Sequence, residues 1–310
     1  MRAREAWRWL RLAGGAGLVV VLLQRLGTRP VLDALHALTP AMLVAAVAVT
    51  ALTTVCCAWR WQLVAGRLGA PVRLPAAVGA YYRSQFLNAT LPGGVVGDVH
   101  RAVRQGRDAG HLGRGLRSVA WERAIGQVVQ VVLVLCLLVV LPRALQVPVL
   151  WIGAVVGGLF LVGCGLVLLH ARARRSLLPL RDLRRLVARP RVAVAVLATS
   201  ALAALAHAGL FLVAARAAGV AEPGWRLLPL ALLVLVASAV PTNIAGWGPR
   251  EGAAAWAFAG AGLTADQGLT VSVLYGSMVL VATLPGALVL LVEGRRRALC
   301  RRGLVGGRDG

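Results

Sequence analysis

The sequence predicts an all-α, polytopic transmembrane bundle of about six full spans plus two re-entrant, broken helical hairpins. Composition is the first observation behind that prediction. Of the 310 residues, 59% are apolar and only 15% are charged, whereas soluble domains run at about 45–50% and about 25%. The second is length: apolar runs of spanning size recur along the chain, and crossing the hydrocarbon core takes about 20 such residues. The third is where the arginines fall. They sit in short blocks between the apolar runs, as charges that set membrane orientation do.

The expected full spans are 11–26, 39–59, 116–141, 149–170, 191–215 and 266–293. The first is short, and Met1–Leu26 has the basic start and apolar core of a secretory signal. Gln24, Arg25 and Leu26 stand where a small-residue cleavage site would be, so an uncleaved span is expected. Two further apolar stretches, 75–91 and 226–243, each run into a break rich in glycine and proline. The first break reads Leu91-Pro92-Gly93-Gly94-Val95-Val96-Gly97-Asp98, and the second runs from Pro241 through Gly246, Trp247 and Gly248 to Pro249. A second short helical stretch follows each.

Arginine placement orients these elements. With a cytoplasmic N-terminus and hairpins that return to their own side, segments 1–11, 60–73, 101–117, 171–191 and 294–310 lie inside. They hold 26 arginines, against five in the outer loops, a strong positive-inside bias. A simple span over 75–91 would place a basic block outside. Both termini of this multi-pass protein of the cell membrane are therefore expected in the cytoplasm. Half one (11–141) then reads span, span, inside hairpin, span. Half two (149–293) reads span, span, outside hairpin, span, an inverted repeat within a single membrane domain, 1–310. The Arg-rich connector 171–190 is expected to lie on anionic headgroups, and 294–310 to form a short basic tail.

Several function classes drop out. The net charge of +23 is distributed as topology signals, so no nucleic-acid partner is expected. All 34 basic residues are arginine, which removes P-loop, Schiff-base and nucleophilic lysine chemistry. The five cysteines (Cys56, Cys57, Cys136, Cys164 and Cys300) lack metal-ligand spacing, and so do the histidines. Without GxSxG, HExxH or clustered carboxylates, no catalytic residue, cofactor or metal is expected.

A charge at the centre of a membrane helix costs at least about 2.5–3.5 kcal/mol, so charges kept there mark candidate sites. The first cluster spans Asn88 to Arg104. Pro92, Gly93, Gly94 and Gly97 end the incoming helix and let the backbone turn. Asp98 suits the N-cap of the next helix, with its carboxylate on free backbone N–H groups. Arg101 and Arg104, three apart, fall on one face and with those N–H groups form a phosphate cradle. The plainer reading is a hairpin turn followed by cytoplasmic arginines.

The second cluster is Gly246 to Gly252. Pro249 fits the first position of a helix and Glu251 the third. Arg250 sits at a helix start, where the dipole disfavours a cation, and needs a partner: Glu251, another acid or a bound anion. The third is Glu122-Arg123, adjacent residues that point apart and so reach different helices, as a structural bridge or as transport residues. Arg60, between Trp59 and Trp61, reads first as an interfacial anchor and second as a headgroup contact. His207, in mid-helix, reads first as a hydrogen-bonded structural histidine and second as a proton carrier.

These clusters resemble the lysylphosphatidylglycerol synthase transmembrane-region family of flippase-like proteins. The likeness rests on Arg60-Trp61, on Asn88, Leu91, Pro92, Gly93, Gly97, Asp98 and Arg101, on Glu122-Arg123, and on Pro241, Gly246, Trp247, Gly248, Arg250, Glu251 and Gly252. The family often has Gly-Gly-Asp where this chain has Val96-Gly97-Asp98, so the loop before Asp98 is expected to differ. The resemblance implies translocation of lipids, aminoacylated phosphatidylglycerol being the best-known cargo. The family's synthases carry a separate soluble transferase domain; this chain ends at Gly310, soon after its last span, and no synthase activity is expected.

The resulting expectation is a translocase, not an enzyme. Its cargo would be an anionic or aminoacylated phospholipid or a polyprenyl-phosphate-linked lipid. Arg101, Arg104 and Arg250 would hold the headgroup, Asp98, Glu122 and Glu251 would organise them, and Arg123, Arg60 and Asn88 would add contacts. The alternatives are a subunit that presents lipid to a partner glycosyltransferase or aminoacyltransferase, and a small-solute secondary transporter.

Overall fold

Proline and glycine decide where the helices of this chain begin and end. The computed structural model describes residues 29–91, 94–151, 178–238 and 248–305. Among them it has no strand and, besides a further helical stretch at 143–151, eleven α-helices. In order these are α1 (Arg29–His36), α2 (Pro40–Arg67), α3 (Leu74–Thr90), α4 (Val96–Asp108), α5 (Leu112–Cys136), α6 (Leu178–Val187), α7 (Pro190–Ala217), α8 (Gly224–Ala237), α9 (Pro249–Gly260), α10 (Ala265–Ala282) and α11 (Pro285–Val305). A 3-10 turn, Leu138–Val140, follows α5.

Helices α2 and α7 each open on a proline, Pro40 and Pro190, where a missing N–H costs nothing. Each closes on a glycine in the left-handed region, Gly69 (φ 75°) and Gly219 (φ 77°). The next N–H groups, of Ala70 and Val220, turn back to Ala65 O at 2.9 Å and Val220's partner Ala215 O at 3.0 Å. That closure satisfies carbonyls left open at a helix end.

Among the described residues, four helices are long and apolar enough to cross a membrane: Pro40–Arg67, Leu112–Cys136, Pro190–Ala217, and Ala265–Arg295 taken as one. The protein is membrane-embedded. Large apolar side chains such as Val44, Val132, Val194 and Leu288 face outward and exposed, a surface suited to lipid rather than water. The expected spans 39–59, 116–141 and 191–215 fall on α2, α5 with its 3-10 turn, and α7. Those at 11–26 and, beyond residue 151, 149–170 lie outside the described residues.

The expected span 266–293 falls within the membrane-length stretch Ala265–Arg295, which carries a turn near its middle. α10 ends at Ala282, Thr283 and Leu284 form a turn, and Pro285 opens α11. Proline has no N–H to continue the ladder. The described part of the connector keeps Arg181, Arg184, Arg185 and Arg189 exposed. Its helix α6 turns Asp182 and Leu186 into the bundle. Asp182 pairs with Arg117 of α5 at 2.8 Å, and Leu186 packs with Val64, Leu68 and Val196.

One order of elements occurs twice. A long helix, two short helices and another long helix form α2–α3–α4–α5, and again α7–α8–α9–α10. The offset is 150 residues at Pro40/Pro190, Gly69/Gly219 and Leu74/Gly224, and 153 at Leu112/Ala265. Glycine contacts follow the same offset. A Cβ on Gly115 of α5 would meet the Ala102 carbonyl of α4, and one on Gly268 of α10 would meet the Ala254 carbonyl of α9. Small residues of this kind let membrane helices approach backbone to backbone.

The two units bury different chemistry. Around α7 to α10 the interior is apolar, with Phe211, Leu232, Phe258 and Leu274 at its centre. Around α2 to α5 the buried side chains include Arg60, Arg83, Asp98, Arg101, Gln105 and Glu122. Since a Cβ at Gly115 would sit 2.5 Å from Ala102 O and Gly106 N, Gly115→Val is expected to destabilise the protein by about 1–3 kcal/mol. Gly252→Ala, at a position with open space around it, should leave the thermal midpoint in detergent unchanged or raise it. Equal midpoints for wild type and Gly115→Val would contradict the close packing of α4 on α5.

Candidate functional site

The polar interior is organised by the carboxylate of Glu122, three turns into α5. Its Oε1 accepts from Arg60 Nε of α2 at 2.9 Å and from Tyr81 Oη of α3 at 2.8 Å, and Arg60 Nη2 closes a salt bridge on the same atom. Its Oε2 accepts from Arg101 Nη2 of α4 at 3.0 Å. Arg101 Nη2 also reaches Asp98 Oδ1 at 2.9 Å, and Asp98 Oδ2 pairs with Arg123 Nε at 3.0 Å. The result is an ion ladder, Arg60–Glu122–Arg101–Asp98–Arg123. Three guanidinium groups meet two carboxylates, leaving one positive charge in excess.

Aromatic rings and amides hold the ladder in place. The Arg101 guanidinium lies 4.5 Å from the Trp61 ring centroid and 4.1 Å from that of Tyr81, geometry in which ring faces attract a cation. Trp61 Nε1 donates to Ser118 Oγ at 3.2 Å, and Ser118 Oγ donates to Gln105 Oε1 at 2.7 Å. Gln105 Nε2 ties this chain to Ala70 O at 2.6 Å. Arg60 Nη1 crosses to Ser200 Oγ of α7 at 2.9 Å. Gly126, one turn beyond Glu122, leaves the room that the Arg60 guanidinium fills, since a Cβ there would lie 3.2 Å from its nitrogens.

A second cluster forms where the corresponding helices of the other unit meet. Gly248 holds φ 118° before α9, a conformation open to glycine. Its N–H donates to Glu251 Oε2 at 2.6 Å. Arg250 Nη2 pairs with Glu251 Oε1 at 2.6 Å, and Arg250 Nε donates to Ser272 Oγ at 3.0 Å. The Arg250 guanidinium lies 5.5 Å from the Tyr275 ring centroid. Tyr275 Oη is 3.0 Å from His207 Nδ1, and His207 Nε2 is 3.2 Å from Thr53 Oγ1 of α2. His207 is thus hydrogen-bonded at both ring nitrogens, as the structural reading of that residue requires.

Between the clusters lies a cavity of about 260 Å³. Arg60, Tyr81 and Arg123 line one side and Ser200, His207 and Tyr275 the other, with Gln127 and Gln130 along α5. At about 1.5 Å per helical residue, Arg123 lies about 17 Å into α5 and His207 about 26 Å into α7. The cavity is therefore deep within the two spans.

The sequence expectations meet this geometry unevenly. Asp98 is not the N-cap: Val95 is, and Asp98 lies inside the first turn of α4. Its carboxylate takes side chains instead, Ser84 Oγ at 3.0 Å and Asn88 Nδ2 at 2.8 Å besides the two arginines. Asn88 Oδ1 in turn takes the Gly97 N–H at 2.7 Å. Gly97 lies against the Ser84 backbone, with no space for a Cβ, which is why α3 and α4 can close so tightly there. Gly94 holds φ 57° in the break.

Arg60 is corrected as well. It is buried at 6% exposure, an inter-helix ion partner rather than an interfacial anchor, because Glu122 is within reach across the bundle. Arg101 and Arg104 share a helix, yet their guanidinium groups part: Arg101 turns inward, and Arg104 pairs with Glu293 of α11. Arg250 finds its partner in Glu251 and adjoins the cavity wall through Tyr275. Glu122 and Arg123 diverge to different partners. Pro249 opens α9, while Pro92, Gly93, Pro241 and Gly246 lie outside the described residues. Tyr81, Ser84, Gln105, Ser200, Tyr275 and Glu293 were not singled out by sequence. Of these only Glu293, an acid at the end of an apolar run, carried a usable signal.

Membrane-length helices, two pairs of short helices and an ion ladder buried among them define a polytopic membrane protein with a charged interior site. The chain belongs to the family described as lysylphosphatidylglycerol synthase TM region, whose model matches residues 8–286. No curated protein matches the sequence significantly.

Removing one partner of a buried ion pair costs about 3–5 kcal/mol. Glu122→Gln, which strands both Arg60 and Arg101, is therefore expected to lower the thermal midpoint sharply. Arg123→Gln, at a side chain 41% exposed, should cost under about 1 kcal/mol. Thermal unfolding of both variants in one detergent checks the order; a milder effect at Glu122 than at Arg123 would contradict it.

Proposed function

We propose that this protein moves an anionic lipid headgroup between membrane leaflets, by way of the cavity between the two units. The observation that carries this reading is the uncompensated positive charge of the ion ladder, facing a polar cavity deep in the spans. An excess cation in a low-dielectric interior is costly, and an anion entering the cavity would balance it. The family's association with a lysylphosphatidylglycerol synthase makes an anionic phospholipid, or an aminoacylated one met at its phosphate, the natural cargo; a polyprenyl-phosphate-linked lipid offers the same phosphate chemistry at its head. The acyl or prenyl tails would stay in the bilayer.

In this reading the duplicated elements are an inverted repeat, both termini are cytoplasmic, and rocking of one unit against the other exposes the cavity to each leaflet in turn. Arg123, half-exposed and on the cavity wall, would meet the headgroup first. Arg60 and Arg101 would supply field from behind it, organised by Glu122 and Asp98, while Asn88 fixes Asp98. Arg250 and Glu251 would act on the far wall through Tyr275.

Reconstitution into liposomes with fluorescent phosphatidylglycerol, read by a membrane-impermeant quencher, tests the reading. The native protein should flip this lipid, and Arg123→Gln should slow it by roughly tenfold, the loss expected for a charge-assisted contact. Equal rates for both proteins and for protein-free liposomes would discard translocation. Headgroup binding without flipping would instead favour the subunit that presents lipid to a partner enzyme. Orientation is tested by Arg107→Cys, an exposed position at the end of α4, which should react with an impermeant maleimide only from the cytoplasmic side.

A further inference from the structure

A second charged site lies at the end of the bundle where the arginine-rich loops gather. Glu293 of α11 bridges two arginines from the α3–α4 pair. Its Oε1 takes Arg83 Nη1 at 2.6 Å, and its Oε2 takes Arg104 Nη1. Arg83 is 2% exposed, whereas the side chains of Arg104 and Glu293 are 36% and 28% exposed. Beside them opens a cavity of about 570 Å³, walled by Trp61, Arg101 and Gln105 and by the α2–α3 loop. Arg101 lines its inner wall with a side chain that is 0% exposed, and its Nε and Nη1 have no hydrogen-bond partner among the described residues. This cavity is separate from the one between the two units; Arg101 joins the ion ladder to its wall.

One carboxylate whose two oxygens each meet a different guanidinium is the arrangement in which arginines take two oxygens of a phosphate. We propose that Arg83 and Arg104 form an entry site for the phosphate group of a lipid, and that the Glu293 carboxylate occupies the phosphate's place until the lipid arrives. The inference rests on the lipid-handling reading above and adds to it a cytoplasm-side waiting site with an internal competitor. The cavity wall holds Arg83, Arg101 and Arg104 together with Glu293 and Asp108. A phosphodiester displacing the Glu293 latch meets the Arg83 and Arg104 guanidinium groups, with Arg101 behind them. The Glu293 side chain is 28% exposed, so rotation of that side chain into the open cavity mouth would release the two arginines while α11 stays in place, held by the close packing of Gly286 on the Tyr82 backbone of α3.

The test is a titration of the full chain in detergent with two probes, inorganic phosphate and short-chain phosphatidylglycerol, followed by native mass spectrometry or calorimetry. Glu293→Gln keeps a neutral hydrogen-bonding group but removes the competing anion, so it should bind phosphatidylglycerol roughly tenfold more tightly than wild type. Arg104→Gln should bind it roughly tenfold more weakly. A purely structural bridge predicts the reverse at Glu293, a lower thermal midpoint with unchanged or weaker binding, and that result would overturn the proposal. Inorganic phosphate binding as tightly as the lipid would also overturn it, since the site would then serve a free anion. The flip assay separates this claim from the broader one. Tight, latch-dependent binding without flipping would leave the entry site standing and remove translocation; flipping with no effect of Glu293→Gln on binding would do the opposite.

Discussion

The Glu122 carboxylate is the constraint around which this protein is arranged. It is fully buried, and a buried carboxylate is tolerable only with its charge and its lone pairs satisfied. Arginines from α2 and α4 and a tyrosine from α3 meet on it, so four helices are fixed relative to one another through a single group. Arg101 is then confined between two aromatic rings, and Asp98 is drawn inward to share it. The short helix α4 owes its position to this demand. It is polar along most of its length and would not settle among apolar spans without it.

The duplicated architecture makes the asymmetry of the site informative. Displaced by the 150–153 residues that separate the matching element starts, Glu122 corresponds to Tyr275, Arg101 to Ala254 and Arg60 to Leu210. The same order of helices thus carries an ion ladder in one unit and, in the other, a Tyr–His pair and the Arg250–Glu251 pair within a largely apolar interior. The acid in the first turn of the short helix persists in both, as Asp98 and Glu251, where it complements the dipole. What the second unit retains is the helix start; what it lacks is the surplus of cations. The cavity between them therefore has one strongly positive wall and one weakly polar wall.

Much of this was legible from sequence, for reasons that separate the parts well. Spans of 28 residues bounded by Pro40 and Gly69, or by Pro190 and Gly219, announce themselves by apolar length and by punctuation. Charges within apolar runs pointed to Glu122, Arg123 and Arg250, because such charges are rare in membrane helices. Partnerships were not legible. Arg60 sits 62 residues from Glu122, and Arg104 sits 189 residues from Glu293, and nothing local encodes pairings that only the bundle brings together. Asp98 was misplaced for a related reason: its residue type suits a cap, but Arg101 and Arg123 compete for it and win. The break at Thr283 was hidden within a run whose apolar character never falters, and only Pro285 marked it.

Translocation as proposed requires a lipid headgroup to reach the space between the ladder and the Tyr–His pair. A diazirine amino acid placed at Gln130, on the cavity wall, and in a separate protein at Val44, which faces outward, addresses this directly in nanodiscs containing headgroup-labelled phosphatidylglycerol. Light should yield a headgroup-labelled adduct at Gln130, weakened by excess unlabelled lipid. Adducts at Val44 alone, with Gln130 unlabelled, would contradict it.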